Sequence, residues 1–244
     1  MSEAIEKVGR ELAASGVLKV GLNLANFLLV SQGDGPVREG VAPDMARELA
    51  RQLGLAVEFV PYSSPGAMAD AARTGDWDIA FLAVELERQA EIEFTAPYLE
   101  VDATYLVPAG SGMVHVDQVD REGVRIAVVQ NSAYDLVLRR SIRLAKLVHA
   151  SSADAAFHEF EMQGLEALSG LRPRLAQQQA KWKGSKVLPG RFAAIGQAIG
   201  VPKKQAASAA FLSRFVETCK TSGLVARLIE RHRVEGVAVS LPKA

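Results

Sequence analysis

The sequence predicts an α/β protein of two consecutive units, each a sheet flanked by helices. Three observations carry this. Short apolar runs alternate with helical patterns along the chain, as strands and their covering helices do. The alternation breaks once, at the loop-rich stretch PAGSGMVHVDQVDREG, and then restarts. Apolar residues fill 49% of the 244 positions, and a chain of that length suits two lobes of about 100–150 residues each.

The elements follow in order. MSEAIEKVGRELAASG places Ile5, Val8 and Leu12 at helical spacing, which reads as a short amphipathic helix. VLKVGLNL (17–24) reads as a strand, and SQGDGPVREG as a polar turn. APDMARELARQLG is a helix with Met45, Leu49 and Leu53 on one face and Gly54 closing it. AVEFVPY (56–62) is the next strand. Ser64 then caps a helix with Pro65 in first place and Gly75 at its end. WDIAFLAV (77–84) is a buried strand, and this βαβαβ order implies a parallel sheet.

The second unit opens with the strand GVRIAVVQ (123–130). Asn131 and Ser132 lead into a helix, AYDLVLRRSIRLA, on which Leu138, Ile142 and Ala145 share a face. KLVHA is a strand, SSADAAFHEFEMQG a capped helix ended by Gly164, and LEALSG a short strand. GDG and SGLR read as ordinary turns. RFAAIGQAIGVP (191–202) is a strand that crosses back, and the helices KKQAASAAFLSRFVETCKTSG and GLVARLIERH finish the chain.

Composition excludes several function classes. Lys plus Arg balances Asp plus Glu at 28 each, so no basic stripe marks a nucleic-acid or anionic-membrane partner. No apolar run approaches the roughly 20 residues of a membrane span. The single cysteine, Cys219, sits in an apolar helical stretch and reads as a buried, inert thiol. The four histidines, His115, His149, His158 and His232, lack metal-ligand spacing, and no Gly-rich phosphate loop is present. No metal and no cofactor is expected. The N-terminal segment lacks an apolar leader, so a cytoplasmic location is expected, or a periplasmic one if a leader has been removed.

Four segments together resemble the amino-acid-type solute-binding proteins of ABC importers. GVAPDMARELARQLG resembles the family's Gly-x-x-x-Asp helix segment. GDWDIAFLAVELERQAEIEFTAPY resembles its stretch from the third strand through an arginine to a Phe-Ser-x-Pro-Tyr knot. VRIAVVQNSAY and TSGLVARLIERH resemble the opening of its second lobe and its closing helix. The resemblance covers roughly residues 17–235. It implies the type II periplasmic-binding-protein fold, with residues 1–105 and 200–244 as the first lobe and 106–199 as the second. Two hinge strands, near 102–107 and 193–201, would join the lobes. A ligand would be held in the interlobe cleft by hinge closure, and an ABC transporter permease is the implied partner.

The same resemblance nominates site residues. Arg88 aligns with the arginine that clamps a ligand carboxylate, a task suited to a planar guanidinium. The other reading is a surface arginine paired with Glu85 or Glu91. Asn131 and Ser132 align with ligand contacts at the start of the second lobe's helix, where Ser132 also reads as a cap with Asp135 three residues on. Asn26 and Phe27 sit where the family places residues over the ligand, with core packing the alternative for Phe27. Ala83 and Val84 could offer backbone carbonyls.

Two departures matter. FLAVELE lacks the hydroxyl the family carries before its arginine, and Leu171 stands where the family has the acid that holds the ligand's α-ammonium. Glu166 aligns with a different acid, one inside the strand. The implied ligand is therefore a small carboxylate, an amino acid or related organic acid, with the ammonium half of recognition lost. No catalytic residue is expected. The alternatives are a cyclohexadienyl-dehydratase-like enzyme, with Glu85 as the nearest proton donor, or a detached ligand-sensing domain. Glu85 itself reads as an exposed charge beside Arg88.

Overall fold

The computed structural model describes residues 3–31, 38–203 and 208–242. Most of the turn SQGDGPVREG, and the start of the segment KKQAASAA, lie outside them. The strands are β1 (Val17–Asn23), β2 (Ala56–Tyr62), β3 (Ile79–Ala83), β4 (Ile92–Phe94), β5 (Leu99–Val107), β6 (Arg125–Val129), β7 (Lys146–Ala150), β8 (Ala167–Leu171), β9 (Lys186–Val187), β10 (Ala193–Pro202) and β11 (Val237–Val239). The helices are α1 (Glu3–Leu12), α2 (Val41–Leu53), α3 (Pro65–Asp70), α4 (Ala133–Ser141), α5 (Ala153–Met162), α6 (Arg172–Lys181), α7 (Ala209–Thr221) and α8 (Leu224–Arg231). They form two compact units. Unit 1 comprises residues 1–100 and 196–244, and unit 2 comprises 101–195. The chain thus passes from one to the other inside β5 and returns inside β10.

In unit 1 the strand order is β2-β1-β3-β10. β1 runs parallel to β2 and β3, and β10 adds antiparallel to β3, with Ile199 opposite Phe81. All five residues of β3 are buried, as a strand covered on both faces requires. One core cluster joins Met68, Trp77, Leu82 and Ile92, and the Trp77 indole donates to the Met68 carbonyl at 2.9 Å.

The Gly-x-x-x-Asp segment has a physical reading here. Gly40 sits before α2 at φ 126°, and a Cβ there would lie 2.3 Å from the Leu29 carbonyl oxygen. Only glycine fits. Asp44 accepts from Arg47 at 2.8 Å and from His232 Nε2 at 2.9 Å, tying α2 to the end of α8.

Unit 2 has the order β5-β8-β6-β7, with β8, β6 and β7 parallel and β5 antiparallel to β8. One cluster packs Val107, Ile126, Leu138 and Leu188, and another packs Leu106, Phe160, Leu168 and Leu175. Glu166 forks onto Arg125, accepting from Nε at 3.0 Å and Nη2 at 2.8 Å.

The expected elements are present, with four differences. α3 stops at Asp70 rather than at Gly75. α4 stops at Ser141, and Ile142 is extended (φ −66°, ψ 135°). The reason is long-range. The Asp120 carboxylate accepts the backbone N–H groups of Arg143, Leu144 and Ala145 at 2.8–2.9 Å, which ties the chain off before another turn can form. Ile142 and Ala145 still pack on the unit 2 core. Helix α6 follows β8 directly, so SGLR is the end of a strand and the first residue of a helix rather than a turn, and the rest of α6 falls where the sequence suggests no element. It buries only Leu175 and Gln178, so it carries little apolar periodicity to see. The short strands β4, β9 and β11 also escape sequence reading.

Candidate ligand-binding site

In unit 1 the parallel register brings the carboxyl ends of β1, β2 and β3 to one edge, with Asn23 beside Tyr62 and Leu22 beside Phe81. Open α/β sheets bind ligands at that edge. Ala83 ends β3, and Asn26, Phe27, Val84 and Arg88 follow those strand ends.

Arg88 opens a short 3-10 turn, Arg88–Ala90, and its backbone N–H donates to the Glu85 carbonyl at 3.1 Å. The side chain is only 6% exposed. Its Nη1 donates to the Ala83 carbonyl at 3.0 Å, which takes up one of that oxygen's two lone pairs. Burial pulls the guanidinium below its ordinary range, and the charges of Glu85 and Glu87 act the other way. A guanidinium stays protonated even so. The reading of Arg88 as a surface residue is therefore wrong.

Glu85 corrects the sequence in the same way. It is 5% exposed, whereas its neighbour Leu86 is 66% exposed. Polarity alone predicts the reverse. The turn after β3 directs the acid inward beside Arg88 and the leucine outward.

The knot FTAPY is anchored on β10. Thr95 N–H donates to the Ile199 carbonyl at 3.0 Å, Ile199 N–H returns a bond to Thr95 Oγ1 at 3.2 Å, and Tyr98 N–H donates to the Gln197 carbonyl at 2.8 Å. Tyr98 is fully buried and meets Phe81 edge-on at 5.9 Å. Val84 N–H donates to the Gly196 carbonyl at 3.0 Å. The segment carrying Arg88 is thus fixed at both ends.

Asn26 forms a tight turn. Its N–H donates to the Asn23 carbonyl, and its own carbonyl accepts from Leu29 and Val30. Its Oδ1 is buried with no hydrogen-bond partner among the described residues. Phe27 beside it is half-buried.

In unit 2, Asn131 follows β6 and takes the left-handed conformation at φ 58°. Ser132 caps α4, its Oγ accepting from Asp135 N–H at 3.2 Å. Tyr134 also hydrogen-bonds the Ser132 hydroxyl, and burial pushes that phenol up to about 12. Asp135 is fully buried and bound by Asn131, Arg139 and His149. Sequence reasoning found Asp135 as a capping partner but missed Arg139 and His149. Arg139 lies four residues beyond Asp135 and was within reach of an i,i+4 reading. His149 lies on another strand and was not. Leu171 ends β8 and immediately precedes α6.

Among the described residues no His, Cys, Asp and Glu cluster could hold a metal, and no helix is long and apolar enough to cross a membrane.

The family description "Bacterial extracellular solute-binding proteins, family 3" matches residues 18–235. The chain belongs to this family. Its mixed α/β fold is that of type II periplasmic-binding proteins. A binding component of an ABC transporter from Wolinella succinogenes, complexed with lysine, superposes with a TM-score of 0.75 at 22% identity, over 89% of this chain and 95% of that one. The GluR0 ligand-binding core complex with L-glutamate gives 0.72 at 21%, over 88% and 97%. The ancestral amino-acid-binding protein AncCDT-1, a precursor of cyclohexadienyl dehydratase, gives 0.74 at 20%, over 94% and 99%. No curated protein matches the chain in sequence.

Proposed function

We propose that this family 3 solute-binding protein captures a small carboxylate-containing molecule, an amino acid or related organic acid, with Arg88 as the carboxylate clamp. The observation that carries the reading is the buried guanidinium beyond the carboxyl end of β3, held by the Ala83 carbonyl on a segment tied to β10 on either side. A guanidinium carries five donors in a rigid fork, of which Arg88 spends one on the Ala83 carbonyl, and a carboxylate out of water gains most from such a partner. Asn26, Phe27, Ala83 and Val84 in unit 1 and Asn131 and Ser132 in unit 2 complete the proposed contacts. The solved relatives bound to lysine and to glutamate support an amino acid. Leu171, which brings no charge, supports a ligand whose ammonium is weakly held or absent.

Calorimetry against the standard amino acids and a set of small mono- and dicarboxylates tests this. At least one carboxylate should bind, and Arg88→Met should remove the heat. A panel without a single binder, or an Arg88→Met protein that binds like wild type, overturns it. Capture by hinge closure belongs to the same proposal, and small-angle scattering should then show a smaller radius of gyration with the ligand. Delivery to an ABC transporter permease is its cellular counterpart. Fractionation of the source cells decides between a cytoplasmic and an extracytoplasmic location.

The placement of Glu85 favours one second reading, a dehydratase-like lyase, because its carboxyl is turned inward beside Arg88, where a general acid or base would have to sit to reach a bound carboxylate substrate. Product formed from prephenate or arogenate and lost in Glu85→Gln would establish it. No turnover would leave the binding reading standing alone.

A further inference from the structure

We propose that Asp135 is a positioning residue for ligand binding, holding Asn131 in the one geometry that serves as a contact. This rests on the proposed reading of Asn131 and Ser132 as ligand residues. A left-handed backbone is unusual for a residue with a side chain, and asparagine tolerates it better than most. Asn131 takes it at φ 58°, and Asp135 supplies a reason. Its Oδ2 accepts the Asn131 backbone N–H at 2.8 Å. Its own N–H donates to Ser132 Oγ at 3.2 Å. One residue therefore grips the turn from both sides.

Arg139 extends the grip to the side chain. Its Nη2 donates to Asn131 Oδ1 at 3.2 Å as well as to Asp135 Oδ2 at 2.5 Å, and its Nε donates to Asp135 Oδ1 at 3.1 Å. His149 Nε2 approaches the same Oδ1 from β7 at 2.9 Å. With Oδ1 of Asn131 bound to Arg139, the carboxamide has a fixed orientation although the residue is exposed. The Arg139 cation also matters to an incoming anion. An uncompensated carboxylate this close would repel it, and the Arg139 guanidinium offsets that charge, while the His149 ring occupies Oδ1 by a hydrogen bond.

The test separates positioning from simple charge balance. Wild type, Asp135→Asn, Arg139→Gln and Arg139→Lys are titrated with L-arginine, L-glutamate and succinate by calorimetry, well below their melting temperatures. The backbone amides of residues 131–134 are followed by NMR without ligand. Asp135→Asn should shift those amides and weaken the bound probe by about tenfold or more. Arg139→Lys keeps the cation but cannot span Asp135 and Asn131, so it should recover the stability lost in Arg139→Gln without recovering affinity. Should Asp135→Asn fail to fold, the Arg139 pair carries the same comparison. Unmoved ligand-free amides in Asp135→Asn, unchanged affinity in that variant, or full recovery of affinity by Arg139→Lys would each overturn the proposal. If none of the three probes binds wild type, the functional reading loses these ligands, and the ligand-free amides still decide whether Asp135 sets the turn. Loss of binding in Asp135→Asn with none in Arg88→Met would instead leave Asp135 standing and remove the clamp.

Discussion

Unit 1 and unit 2 hold their candidate contacts by opposite means. In unit 1 a charged side chain, Arg88, is taken out of water beside Glu85 by a short turn and a backbone carbonyl. In unit 2 a backbone turn is held by a group of polar side chains, of which Asp135 is fully buried while Arg139 and His149 stay partly wet. The first arrangement stores recognition in a charge that has already lost much of its hydration. The second stores it in geometry. Removing one group from unit 1 should therefore cost affinity steeply, whereas unit 2 should lose it in smaller steps spread over several residues.

The largest expected effect is at Arg88. Truncating one partner of a desolvated charge pair costs about 2–5 kcal/mol, or roughly 30- to 4,000-fold in affinity. Arg88→Met should show this once a ligand is identified. Its burial also implies a loss of stability. The Ala83 carbonyl loses its donor, at about 1–3 kcal/mol, and Glu85 loses a neighbouring cation. Adding Glu85→Gln to Arg88→Met should recover part of the melting temperature and none of the affinity. Equal affinity in Arg88→Met and wild type would erase the contrast between the units.

The next effect is on unit 2 alone. Burial works against the Asp120 charge, but three backbone N–H groups and Arg143 outweigh it and hold the carboxyl below its ordinary 3.8. A folded-state value below the unfolded one contributes stability above about pH 4, and this is lost as pH falls through the lower folded value. Asp120→Ala should cost about 0.5–1.5 kcal/mol at pH 7, the net worth of an ordinary hydrogen bond, since the three backbone donors are exposed or half-buried and water replaces much of what they lose. The deficit should shrink in acid. A deficit that stays constant with pH would contradict the assignment.

Two caps in unit 2 give a finer contrast. Ser132 caps α4 and Ser152 caps α5, each by one side-chain bond to a backbone N–H. Either change to Ala should cost about 1 kcal/mol, or roughly 2–4 °C for a chain of this size. Only Ser132→Ala should also weaken ligand binding. Equal affinities would make Ser132 a cap and nothing more. The smallest effect is in unit 1, where Cys219 is 2% exposed and burial pushes its thiol up to about 12. Iodoacetamide should leave the folded protein unlabelled at pH 8, and rapid labelling would show that α7 opens.

Much of the architecture was legible because strand β3 and helix α2 carry unbroken apolar patterns, and local chemistry such as Ser64 before Pro65 marks helix starts. What stayed hidden depends on residues far apart in the chain. The end of α4 is set by Asp120, more than twenty positions upstream. α6 is helical with almost no apolar face, because its Leu175 alone reaches the core. In the candidate site Arg88 was visible from its neighbours, while its burial and that of Glu85 were not, since a turn's inward direction depends on where β10 holds the following knot. His149 reaches Asp135 only because β7 pairs with β6.

The return of the chain through β10 has a consequence for synthesis on the ribosome. Unit 2 is one continuous stretch, complete once residue 195 has emerged, whereas unit 1 is still missing the strand that pairs with β3 and the helices α7 and α8. Domains generally fold as units while the chain is being made. The inserted unit should therefore be protease-resistant on stalled chains ending well beyond residue 195, while the unit that was begun first is still open. Until β10 arrives, the exposed edge of β3 is the part of the nascent chain most in need of a chaperone.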